Sequence, residues 1–138
     1  MWNWFSRNAQ ALGALFSALA LLGVLYQVYA SEKIQQAQSA RDIYREFVAL
    51  TINKPELASF QWSPNLPEKD RAAYEAYVEY LLYTSEQVIS VDASWRASMQ
   101  NWLKDHSAFL CAKNDLSGYT PGVEELVLEI KAQQCPAN

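Results

Sequence analysis

The sequence predicts an all-α protein, with one N-terminal transmembrane helix continuing into a stalk and a small helical bundle. Three observations carry that prediction. Residues 11–29, ALGALFSALALLGVLYQVY, are the only long stretch without a charge. Beyond them, apolar residues recur at helical spacing and nowhere alternate over the length of a half-buried strand. Pro55, Pro67, Pro121 and Pro136 sit where helices stop or start and divide the remainder into short segments. Two parts follow: residues 1–30 as flank and span, and residues 31–138 as stalk and soluble domain.

The span comes first. Its 19 residues would form a helix of roughly 28 Å, close to the roughly 30 Å of bilayer hydrocarbon. Trp2, Trp4 and Phe5 precede it and Tyr26 and Tyr29 close it, as aromatic belts at two interfaces would. A cleaved signal peptide is the rival, because Val28-Tyr29-Ala30 before Ser31 resembles a small-residue cleavage site. The apolar run exceeds the usual signal core, and helical pattern passes through Ser31 without Gly or Pro, so retention is expected. Arg7 and the amino terminus before the span, against Lys33, Arg41 and Arg45 after it, favour a cytoplasmic C-terminal domain in a bacterial inner membrane.

At 100° per residue, Gln10, Gly13, Ala14, Ser17 and Gln27 share one side of the span with Ala20, Leu21, Val24 and Ser31. Small residues let helix backbones approach in lipid, and Ser or Gln can hydrogen-bond across the contact. Gln10, Gly13, Ala14, Ser17 and Gln27 are therefore the expected oligomerisation residues, and membrane lipid and further copies of the chain the expected partners. The same stripe could line a narrow pore.

The soluble part follows in order. Ser31 to Ala40 is rich in Gln, Ser and Ala and should prolong the span outward. Ile43, Tyr44, Phe47, Val48, Leu50 and Thr51 give an apolar stripe that ends near Asn53, ahead of Pro55. After a short turn of helix at Pro55-Glu56-Leu57 and a loop through Trp62, a helix of about Pro67 to Ser90 places Tyr74, Tyr77, Val78, Leu81, Val88 and Ile89 inward. Tyr80 and Tyr83 fall away from that face and form a possible partner surface. Asp92 or Ser94 should cap a helix carrying Trp95, Met99, Trp102 and Leu103, while Phe109 to Cys111 either prolong it or pack from a loop. Turn residues from Asn114 to Tyr119 lead to Thr120-Pro121 and a last helix with Val123, Leu126, Val127 and Ile130 inward.

Composition narrows the chemistry. Residues 66–138 carry six basic and eleven acidic side chains, which repel a phosphate backbone, so no nucleic-acid partner is expected. His106 is the single histidine, and Asp105, His106, Cys111 and Cys135 match no zinc spacing; no metal or cofactor is expected. Nucleophile-elbow and phosphate-loop patterns are absent, and carboxylate pairs such as Glu75 with Glu79 fall on faces expected to be wet, so no catalytic residue is assigned. Arg96 and His106 have nine residues between them and are expected on a solvated face or as a cap. Cys111 and Cys135 would stay reduced in a cytoplasmic domain and could pair in an extracytoplasmic one. Trp62, Trp95 and Trp102 are expected to matter for packing.

From Asp42 onward the chain shows Lys54-Pro-Glu-Leu57 after a Tyr- and Phe-bearing helix, Tyr77-Val-Glu-Tyr80, Trp95, Trp102-Leu-Lys-Asp-His106, Phe109 and Tyr119-Thr-Pro121. In this it resembles uncharacterised bacterial membrane proteins that pair one N-terminal span with a small helical domain. In layout it is also similar to membrane accessory proteins of RNA-targeting CRISPR systems, whose degenerate HEPN-like domains form an oligomeric pore. No activity is carried over from these likenesses; with the small-residue face of the span and the missing catalytic motifs, the expectation is a non-enzymatic, self-associating membrane protein, with membrane perturbation in phage defence as its most specific form. A membrane-tethered adaptor or sensor that binds a protein partner is the alternative. The HEPN pattern itself, Arg and His four to six residues apart on one helix, is broken here between Arg96 and His106.

Overall fold

A computed structural model describes residues 2–136, with side chains from residue 13 onward. Among the described residues six helices run in order: α1 (Trp2–Asn53), α2 (Pro55–Ala58), α3 (Glu68–Val91), α4 (Arg96–Lys104), α5 (Ser107–Ala112) and α6 (Pro121–Gln134), with a 3₁₀ turn at Ala93–Trp95 before α4. No strand occurs among the described residues. The all-α expectation is therefore met. The chain divides into two compact units, Met1–Gln36 and Ala37–Asn138.

The first unit is helix throughout its described length. Its apolar residues, from Leu15 through Tyr29, are all exposed, and none of the span is buried within the chain. This helix is long and apolar enough to cross a membrane. Lys33 lies over the Tyr29 ring, 5.8 Å from its centroid.

The second unit begins with the last part of α1. Ala40 and Phe47 are fully buried there, and Tyr44, Val48 and Leu50 are partly so, a stripe at i, i+4, i+7, i+8 and i+10. This segment belongs to the bundle core. Phe47 meets Tyr77 at 5.7 Å and Trp102 edge-on at 5.4 Å, and Tyr44 meets Trp95 at 4.8 Å. The helix ends at Asn53 because Pro55 follows, and Pro55 then serves as the first residue of α2.

α3 packs against α2, α4 and α6. Tyr74, Tyr77, Val78, Leu81 and Val88 are buried as the periodicity predicts, but Leu82, Thr84 and Ser85 are buried too. A helix enclosed on several sides can bury hydroxyls only if they find acceptors. Thr84 and Ser85 donate to the carbonyls of Tyr80 and Leu81 one turn back, each at 2.8 Å. Asp92, not Ser94, is the cap: its carboxylate accepts from the Ser94 N–H at 2.9 Å. Those bonds lower its pKa.

α4 stops at Lys104, and Phe109 and Leu110 are buried from the separate short helix α5. Asp115 accepts from the Ser117 N–H and hydroxyl, the turn that the Asn-Asp-Leu-Ser-Gly run predicts. Thr120 makes no side-chain cap; its N–H donates to Glu86 Oε1 at 2.8 Å instead, and α6 opens on Pro121. Val123, Leu126, Val127 and Ile130 of α6 complete the core.

Candidate functional site

The stripe on the span is the first candidate. Gly13, Ala14, Ser17 and Gln27 are exposed; the Gln10 side chain lies outside the described residues, as do those of Trp2, Trp4 and Phe5. A Cβ built on Gly13 or Gly23 meets nothing within 4 Å. The backbone there is open to whatever lies alongside, and Gln27, between Tyr26 and Tyr29 at the end of the apolar run, has an exposed amide that can hydrogen-bond across a helix contact.

Tyr80 and Tyr83 stack with centroids 6.3 Å apart. They are not equivalent. Tyr80 is half-buried against Phe47 and its hydroxyl donates to Glu46 Oε2 at 3.3 Å, so it is largely used within the bundle. Tyr83 remains 46% exposed and rests on the fixed Tyr80 ring. An open groove of about 500 Å³ lies along α3 and α5, lined by Trp62, Ala72, Ala76, Glu79, Phe109 and Lys113. Of its two carboxylates, Glu75 and Glu79, the second is already engaged. Glu79 accepts from Lys113 Nζ at 2.7 Å and from the Tyr119 hydroxyl, and burial together with that bond raises the Tyr119 pKa. Trp62 stands edge-on to Phe109 at 6.1 Å, and Trp95 and Trp102 also pack on the core.

His106 corrects an expectation. It is 1% exposed, in the core and not on a wet face. Tyr74 Oη lies 2.8 Å from its Nδ1, and Tyr77 stands 5.5 Å from the imidazole, centroid to centroid. Burial lowers the His106 pKa, with Asp105 opposing, and burial pushes Tyr74 up to about 12. Both groups are neutral near pH 7. His106 Nε2 is buried with no hydrogen-bond partner. With the Tyr74 hydroxyl donating to Nδ1, the Nε2–H faces aromatic surroundings, where only a weak N–H···π contact is on offer. Both side chains are buried, and their hydrogen bond ties α3 to the segment between α4 and α5. The apolar spacing Met99, Leu103, His106, Leu110 is the signal that places His106 inward.

Arg96 is half-buried and keeps 31% of its side chain exposed, so the wet-face expectation holds for it in part. Its guanidinium donates to the Gly122 carbonyl at 3.2 Å and to Glu129 at 2.8 Å, tying the start of α4 to α6. Among the described residues, no three His, Cys, Asp or Glu side chains are grouped to hold a metal ion. Cys111, on α5, and Cys135, just after α6, form a disulfide with Cα atoms 5.7 Å apart. Comparison of the chain with known protein families, curated proteins and solved structures gives no match.

Proposed function

We propose that this chain is a non-enzymatic, self-associating single-pass protein of a bacterial inner membrane, whose span packs on further copies and whose helical domain gathers at the membrane surface. The observation that supports it is the fully exposed span with Gly13, Ala14, Ser17 and Gln27 on one side. Packing that side on a second copy gives Gln27 a hydrogen-bonding partner and brings two backbones close, which lipid cannot do for it. Replacing Gly13 and Ser17 together by Leu should reduce the oligomer measured in detergent to a smaller species; an unchanged mass removes the span from the assembly. Perturbation or perforation of the membrane in phage defence is the most specific form of this reading. Induced expression should then depolarise cells, and the double variant should not.

A second reading, a membrane-tethered adaptor, is favoured by Tyr83, an exposed ring held on the fixed Tyr80 ring. Aromatic residues presented at low entropic cost are frequent anchors in protein interfaces. Tyr83→Ala should then abolish co-purification of a stoichiometric partner while leaving the thermal midpoint within about 2 °C of wild type, as a surface change does. Retained co-purification counts against that surface.

A further inference from the structure

We propose that the helical domain lies on the oxidising, extracytoplasmic face of the membrane, with the residues before the span in the cytoplasm, and that Cys111 and Cys135 are its covalent maturation site. This rests on the membrane reading above.

Both cysteines of the sequence are used in one bond, which joins the end of α5 to the end of α6. They are 24 residues apart, and the packing of α5 on α6 brings their Cα atoms to 5.7 Å, within the span a disulfide bridges. Both residues are half-buried, not enclosed in the core. Cytosolic thiols are kept reduced, whereas a pair held this way oxidises where a thiol–disulfide oxidoreductase is present.

The flanking charges oppose this less than their count suggests. Arg7 and the amino terminus before the span stand against Lys33, Arg41 and Arg45 after it, a difference of one positive charge, and long domains translocate largely regardless of charge.

The step balances with the disulfide of such an oxidoreductase as oxidant. One cysteine thiolate attacks that disulfide and forms a mixed disulfide. The second thiolate then displaces the oxidoreductase sulfur, the Cys111–Cys135 bond closes, and two electrons and two protons end on the oxidoreductase as a dithiol.

The test uses the full-length chain, tagged at its C-terminus, in cells quenched with acid and treated with a polyethylene glycol maleimide. The expected result is no added mass without reductant and two additions after reduction, with one addition for Cys111→Ser without reductant. Protease added to right-side-out spheroplasts should remove the C-terminal tag. Two additions without reductant, or a protected tag, overturn the proposal while the chain stays in carbonate-washed membranes. Release of the chain from those membranes instead overturns the membrane reading beneath it.

Discussion

Phe47 tests whether the end of α1 is part of the domain core. Its side chain is fully buried and surrounded by Tyr77 at 5.7 Å, Tyr80 at 6.4 Å and Trp102 at 5.4 Å. Phe47→Ala leaves a cavity between three rings that are themselves fixed by other contacts, so collapse around it is limited. The cost should be about 3–5 kcal/mol. Ile52, on the same helix, is 72% exposed, and its replacement by Ala should cost less than about 0.5 kcal/mol. A domain of this size has roughly 5–15 kcal/mol in all, so the first change removes a large share and the second almost none. With urea slopes of about 1–3 kcal/mol per molar, Phe47→Ala should lower the unfolding midpoint by about 1–5 M. The assay is urea unfolding of the full-length protein in a non-ionic detergent, followed by tryptophan fluorescence, since Trp102 stands against Phe47. Equal midpoints for the two variants would refute the reasoning, because α1 would then end outside the core.

Two further outcomes follow from the core and its bond. The folded-state pKa of His106 lies below its ordinary value of 6.5. Well above pH 6.5, by about pH 7.5, the imidazole is largely neutral whether the chain is folded or not, and it contributes little pH dependence. As the pH falls below that value the unfolded chain takes up a proton that the native core resists, so stability should decline, and His106→Gln should flatten the decline in unfolding midpoint between pH 7.5 and 5. An equal slope in the variant contradicts the buried position. Reducing the Cys111–Cys135 bond releases a loop of 24 residues, worth about 3 kcal/mol in unfolded-chain entropy. Thermal melts with reductant should fall by more than about 10 °C, and coincident melts contradict a closed bond.

Much of the fold was legible because helix-length apolar stripes and prolines carry it. The stop at Asn53, the short helix at Pro55, the inward faces of α3 and α6, and the absence of strands all follow from periodicity and from Pro55, Pro67 and Pro121. What failed depended on partners far along the chain. The spacing Met99, Leu103, His106, Leu110 points His106 inward, but nothing local to it shows that Tyr74, 32 residues earlier, supplies its hydrogen bond. Arg96 looks solvated until α6 brings Gly122 and Glu129 to it. Thr84 and Ser85 look like an outer face because their hydroxyls are satisfied by their own helix, which no hydrophobic pattern reports. Of the proposed surfaces, Tyr83 keeps the exposure its spacing implies, while Tyr80 is drawn in by Glu46 and Phe47. The disulfide was one of two open alternatives, since spacing alone does not bring two sulfurs together.

Self-association through the span is the central claim, and the mass of the full-length chain in detergent, with bound detergent subtracted, tests it most directly. The account predicts a discrete species of several chains that shrinks when Gly13 and Ser17 are both Leu. A single 15.7 kDa chain at every detergent concentration would contradict it and leave the tethered adaptor.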